Sequence, residues 1–190
     1  MVASLTVPGV AMSATAAPAS PIPSSSSLEQ CANNAAGCNW VTGALNQNNS
    51  AYREGDVVPY RAIIPGLTSG SYALQINYDV VAQRAHTLDY LATYNQTVTA
   101  ADPCSGVTGC TTGSSTTTSL PDTGVAAGAT CGGSHSLNPP FSPSQPTGQL
   151  TLFAPAASGA SFVSATSPAA DQNVPSGTTR CSTTITVESR

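Results

Sequence analysis

The stretch Val57-Val58-Pro59-Tyr60-Arg61-Ala62-Ile63-Ile64-Pro65-Gly66-Leu67-Thr68-Ser69-Gly70-Ser71-Tyr72-Ala73-Leu74-Gln75-Ile76-Asn77-Tyr78-Asp79-Val80 decides the fold class. Successive side chains of a strand point to opposite faces, so alternation with period two marks a half-buried strand. Val58, Tyr60, Ala62 and Ile64 fall on one side, with Pro59 and Arg61 opposite. After a turn through Pro65-Gly66 and Ser69-Gly70, the alternation resumes with Leu74, Ile76, Tyr78 and Val80, opposite Gln75, Asn77 and Asp79. A third run, Ala85 to Thr97, groups His86, Leu88, Tyr90, Ala92 and Tyr94. Helical spacing fits these runs less well. One-sided apolar runs need a second layer to cover them, and further runs occur at Gln149–Phe153, Ser161–Thr166 and Ser182–Val187. Seven or more short strands separated by turn residues predict an all-β chain: a disulfide-stabilised antiparallel β-sandwich, jelly-roll or immunoglobulin-like.

Composition narrows the function. Charged residues are 7% of the 190, against about 25% in ordinary globular proteins. Five arginines, no lysine and nine acids leave a net charge of −4. Scattered arginines cannot form the cationic groove that nucleic acid requires, so no nucleic-acid partner is expected. Six cysteines, Cys31, Cys38, Cys104, Cys110, Cys131 and Cys181, predict three disulfides and an oxidising, extracellular or cell-surface location. Their spacing suits zinc poorly, because zinc sites favour closer pairs with further Cys or His ligands. Sequence alone leaves fifteen pairings open. The sequential one, two local loops and one long bridge, is the expectation.

The chain divides into residues 1–30 and residues 31–190, the latter a sandwich domain interrupted by a Thr/Ser/Gly-rich insertion around 98–147. Met1 to Ser20 has Ala-x-Ala patterns at 14–16 and 17–19, as at the end of a secretory signal. No arginine precedes Arg53, however, so the positive start of such a signal is missing. The alternative is a retained assembly strand, in which Ala3, Leu5 and Val7 alternate with Ser4 and Thr6. Pro18 to Ser27 then reads as a Pro/Ser linker. No run approaches the roughly 18 apolar residues of a membrane span.

A set of motifs resembles a known family. They are Trp40-x2-Gly43-Ala44-Leu45-Asn46, Tyr52-x-Glu54-Gly55-Asp56-x-Val58-Pro59-Tyr60-Arg61, Gly66-Leu67-x2-Gly70 and Tyr78-Asp79. His86-x2-Asp89-Tyr90-Leu91-x2-Tyr94 and Asp102-Pro103-Cys104-Ser105-Gly106 continue the series. Together, over roughly residues 39–110, they resemble an uncharacterised domain near the start of large secreted bacterial surface proteins. Those proteins often carry immunoglobulin-like or prealbumin-like domains. The resemblance implies a surface location and no transferable activity.

Glu54, Asp56, Asp79 and Asp89 are the acids of the strand region and the candidate Ca²⁺ ligands, since Ca²⁺ takes six to eight oxygens. No Asp-x-Asp-x-Asp-Gly loop supports them, and otherwise no cofactor is indicated. The competing expectation pairs Asp79 or Asp89 with Arg61 across strands. His86 is expected in the core beside Leu88 and Tyr90. His135, among Ser134 and Ser136, makes no nucleophile elbow. Leu120-Pro121-Asp122-Thr123-Gly124 matches a sortase signal but lacks the hydrophobic segment and basic tail that such a signal needs, and reads as a turn. Tyr60, Tyr78, Tyr90 and Tyr94 are expected in the core rather than on a sugar-stacking surface. Thr111–Ser119 suits a flexible or O-glycosylated loop. Asn48-Asn49-Ser50 and Asn95-Gln96-Thr97 are formal N-glycan sequons.

These readings favour an extracellular structural or adhesive surface protein, self-assembling by strand addition into a homo-oligomer, filament or surface layer. A module binding carbohydrate or a host surface is the alternative, and a secreted hydrolase ranks third. No residue set carries a catalytic assignment.

Overall fold

A computed structural model gives the fold, described here over residues 23–34, 37–53, 55–82, 85–86, 91–119, 148–155, 159–165, 169–170 and 179–189. Every regular element in it is a strand, and every pairing is antiparallel. The chain is therefore all-β.

The first sheet is three-stranded, in the order β2-β1-β3, from β1 (Ser27–Ala32), β2 (Asn39–Val41) and β3 (Tyr60–Ile63). Its sharp return is held by the disulfide Cys31–Cys38, with Cα atoms 5.0 Å apart, and Cys31 lies opposite Trp40 in the register. The loop between β2 and β3 stitches itself together through asparagines. Asn49 accepts from the Asn46 N–H at 2.8 Å and donates to the Ala44 carbonyl at 3.2 Å. The loop ends on Pro59, whose side chain is fully buried and whose carbonyl accepts the Cys31 N–H at 3.0 Å.

The second sheet has five strands, β4 (Gly70–Ala82), β5 (Ala85–His86), β8 (Ser161–Ala165), β9 (Ala169–Ala170) and β10 (Thr179–Ser189). Their order is β5-β4-β10-β8, with β9 also against β10. The long β4–β10 ladder aligns Tyr72 with Val187 and Leu74 with Ile185, so both strands put their apolar residues on one face. A bulge between Thr186 and Val187 bends the β8 pairing. A two-stranded hairpin sheet, β6 (Ser115–Ser119) with β7 (Gln149–Phe153), completes the fold. Leu150 and Leu152 of β7, with Leu67, Ile76 and Phe162, pack on the buried cluster Tyr72, Ile185 and Val187. The Tyr72 hydroxyl donates to the Thr68 carbonyl at 3.0 Å, so its one polar atom is satisfied within the core.

Four expectations need correction. First, a cross-strand pair of Arg61 with Asp79 needs β3 beside β4, and β3 does not pair with β4. It turns back on β1, aligning Arg61 with Glu29, and the chain changes sheets at Pro65-Gly66. Gly66 has φ +69°, which suits glycine at the third position of a turn opened by proline. Second, the faces of β3 are reversed: Pro59 is buried, while Tyr60 is 46% exposed and Ala62 is exposed. Tyr60 therefore leaves the expected core, whereas Tyr78, at 4% exposure, belongs to it. Third, the run Ala85–Thr97 is a strand only at Ala85–His86 among its described residues, and Leu91 onward is loop. Residues 87–90, with Tyr90 and Asp89, lie outside the described part. Fourth, the supposed loop Thr111–Ser119 contains β6.

Candidate functional site

Arg61 is the most heavily engaged side chain. Its Nε and Nη2 donate to Glu29 Oε2 at 2.8 and 2.6 Å, and its Nη1 donates to the carbonyls of Pro103 and Ser105 at 2.9 and 2.7 Å. The guanidinium also lies 4.5 Å from the ring centroid of Trp40, within cation–π range. The indole Nε1 in turn donates to the Asp102 carbonyl at 2.9 Å. Arg61 and Glu29 side chains are 11% and 16% exposed, so the pair is largely shielded from water. This explains the reversed face of β3: a planar cation with a carboxylate, two carbonyls and an aromatic face is satisfied inside. The described partner is Glu29 rather than Asp79, because β1 and not β4 is the neighbour of β3; Asp89 lies outside the described residues.

Of the carbonyls that Arg61 and Trp40 hold, those of Asp102 and Pro103 lead directly into the loop closed by Cys104–Cys110, with Cα atoms 5.1 Å apart, and that of Ser105 lies inside it. Both local disulfides of the sequential pairing are therefore present. Cys131 lies outside the described residues. The segment 91–110 is fastened on its other side as well. Thr93 Oγ1 accepts the Gln149 N–H at 3.0 Å, and Tyr94 meets Phe153 edge to face at 6.1 Å. Thr97 Oγ1 accepts the Val57 N–H at 2.7 Å. The segment thus joins the three-stranded sheet to the β6–β7 hairpin. Motif residues Trp40, Arg61 and Asp102 are parts of this fastening.

Beside it, the Tyr52 hydroxyl donates to the Cys31 carbonyl at 3.0 Å. Burial, then the Asp56 carboxylate, then Tyr60 push its pKa from 10.0 up to about 12. Burial likewise raises Tyr60, and burial followed by Asp102 raises Tyr94. A raised folded-state value favours the neutral phenol. The stabilisation it brings is complete below the unfolded value of about 10 and is lost as pH climbs through the folded one. Tyr52→Phe removes one hydrogen bond, and at pH 8 is expected to cost about 1 kcal/mol. Because phenylalanine cannot ionise, the gap between wild type and variant should narrow toward pH 11. Urea midpoints at the two pH values check this, and a constant gap would contradict it.

Two of the four calcium candidates, Asp56 and Asp79, are described. Asp56 sits in the loop before β3, its carboxylate accepting the Arg53 N–H at 2.8 Å, while Asp79 lies on β4 of the other sheet. Glu54 and Asp89 lie outside the described residues. Among the described residues, no three His, Cys, Asp or Glu come close enough to hold a metal ion. His135, the Leu120–Gly124 motif, and Ala3, Leu5 and Val7 also fall outside the described part. His86 is placed by backbone register alone, opposite Val81.

One surface feature escaped the sequence reading. The Ala154 N–H donates to the Ser114 carbonyl, which fixes the phase of the β6–β7 ladder. In an antiparallel pair, alternate residues direct their backbone groups away from the partner. Those residues are Ser115, Thr117 and Ser119 on β6 and Gln149, Thr151 and Phe153 on β7. On β7 the outward Gln149 N–H is taken by Thr93. On β6 the outward groups pair with no strand among the described residues, although β8 lies alongside β6. At the Ser115 end of β6 is a groove of about 350 Å³ lined by Ser115, Thr116, Leu152, Ala154, Pro155 and Ala160, among others, with no charged side chain among its described residues.

No family model, curated protein or solved structure matches this chain. Its function is therefore read from the geometry.

Proposed function

We propose that the chain is an extracellular structural and adhesive surface protein, a β-sandwich of jelly-roll or immunoglobulin-like type that assembles with copies of itself through strand edges. The observation that carries this is β6, an exposed strand without charge. Natural edge strands are protected by charge, proline, bulges or a covering element. β6 reads Ser-Thr-Thr-Thr-Ser, with four of its five residues exposed, and the nearest charges along the chain are Asp102 and Asp122. The low overall charge supports the same reading, since a charged surface of roughly 25–35% is what keeps small domains apart. Two disulfides fit an oxidising compartment. No helix among the described residues is long and apolar enough to cross a membrane. The full chain should form ordered oligomers without added ligand, visible by sedimentation and negative stain. A single Thr117→Lys charge on the edge should raise the concentration needed. A wild-type chain that stays monomeric at every concentration would refute the proposal.

A glycan-binding reading is favoured by a different observation. Leu28 is 63% exposed and Tyr60 46% exposed, and Ala62, aligned with Leu28, shares their outer face of the first sheet. An exposed phenol ring suits sugar stacking. Retention of a monomer on immobilised polysaccharide, lost in Tyr60→Ala, would establish it.

A further inference from the structure

We infer that the Cys104–Cys110 disulfide is a redox latch on the Arg61–Trp40 fastening: an external dithiol opens it before Cys31–Cys38 and so releases residues 102–105 from the first sheet. The geometry around Cys104 supports this. The two carbonyls that Arg61 Nη1 holds, at 2.9 and 2.7 Å, belong to Pro103 and Ser105, the residues on either side of Cys104. The Cys104 N–H is tied to Asp102 Oδ1 at 2.9 Å, and the Asp102 carbonyl takes the Trp40 indole. Cys104 is thus the pivot of the clamp, and its sulfur anchors it to Cys110. Beyond that bond the loop rests on local turns. The Val107 N–H donates to the Cys104 carbonyl at 2.9 Å and the Cys110 N–H to the Val107 carbonyl at 3.2 Å. Single hydrogen bonds of this kind are individually weak.

Access to sulfur separates the two bonds. Exchange needs a thiolate to reach one sulfur while the other leaves with the electron pair. The Cys31 side chain is fully buried, so attack there is blocked, and attack on Cys38 expels a thiolate into a site closed to water. Cys104 and Cys110 are both partly exposed. One thiolate of the dithiol attacks either of them, the S–S bond breaks, and the departing cysteine sulfur takes up a proton. The second thiolate then attacks the reagent's own sulfur in the mixed disulfide and frees the other cysteine, which is protonated in turn. The dithiol leaves as a cyclic disulfide, oxidised by two electrons, and the protein gains two thiols.

With the bond open, Cys104 loses its anchor and the carbonyls on its two sides no longer converge on one nitrogen. The segment keeps its contacts at Thr93, Tyr94 and Thr97 and gives up those at 102–105. The face of the first sheet that carries Arg61 and Trp40 is then uncovered. Coupling of this kind is reciprocal. Whatever factor the closed bond adds to the clamp, the clamp adds to the bond. Weakening the clamp must therefore make the disulfide easier to reduce.

The test uses the full-length chain and dithiothreitol, with free thiols alkylated and located by peptide mass spectrometry. In a time course, Cys104 and Cys110 should be labelled together, ahead of Cys31 and Cys38. In mixtures of reduced and oxidised dithiothreitol, Arg61→Ala should shift the equilibrium of the 104–110 pair about tenfold toward the dithiol. Trp40→Phe keeps a ring for Arg61 and removes the bond to the Asp102 carbonyl. It should shift the equilibrium the same way by about threefold, and it alone decides the matter if circular dichroism shows Arg61→Ala unfolded. Tyr52→Phe loosens the first sheet at the Cys31 carbonyl without touching the clamp, and should change the equilibrium less than about twofold. Labelling of Cys31 or Cys38 first would overturn the latch. So would an equilibrium that Trp40→Phe leaves in place, or one that Tyr52→Phe moves as far as Trp40→Phe does, since general stability would then set it.

Discussion

Replacing Arg61 with alanine should destabilise the protein by about 3–5 kcal/mol, the range for breaking a buried ion pair from one side. The change removes both hydrogen bonds to Glu29 and leaves that carboxylate shielded without its cation. It also strips the carbonyls of Pro103 and Ser105 of a donor and uncovers one face of Trp40. Arg61→Lys should recover only a minor part. An ammonium is a point donor, and it cannot serve a carboxylate and two carbonyls while lying flat on an indole. Chemical denaturation of the three proteins measures the losses. A loss below about 1 kcal/mol for Arg61→Ala would place the pair among ordinary surface salt bridges.

Ile185→Ala should cost a similar amount, about 2–5 kcal/mol, through the deleted methyl groups and the cavity left behind. Ile185 is 2% exposed and sits on the middle strand of the larger sheet, aligned with Leu74 on one side and Ala165 on the other. Its neighbours are fixed by ladders on both flanks, so the site has little freedom to collapse. Ile185→Val keeps the branched shape and should cost about 1 kcal/mol. Equal losses for the two variants would show that packing at this position is not what matters.

Strand class was readable in three runs whose alternation had an apolar side, though not from Leu91 onward in the run Ala85–Thr97. The runs at Leu74–Val80, Gln149–Phe153 and Ser182–Val187 lie within β4, β7 and β10. β6 was not readable by that signal, because its inward positions are Thr116 and Thr118 and both of its faces are polar. The only clue was a run of β-branched threonines, which favour strands through shape rather than hydrophobicity. The inverted face of β3 had a different cause. Polarity placed Arg61 outside, but its partners Glu29, Trp40 and Asp102 come from distant parts of the chain. Asp102 joins through Trp40, and Arg61 itself holds the carbonyls of Pro103 and Ser105; no local pattern encodes that meeting. The two short-range disulfides were easier, since their cysteines are only six or seven positions apart in the sequence.

The placement of Trp40 gives the molecule an optical gauge of its own. It is the sole tryptophan, and its ring is covered by the Arg61 guanidinium while its Nε1 is bound to the Asp102 carbonyl. Detachment of the 91–110 segment removes the second contact and opens the indole to water, so its emission should move to longer wavelength at that moment. Melting of the β4–β10 ladder, which contains no tryptophan, is registered instead by far-ultraviolet ellipticity. Coincident transitions from the two signals would mean that both sheets unfold as one unit. Separated ones would time the release of the fastening against the melting of the larger sheet, with no label attached.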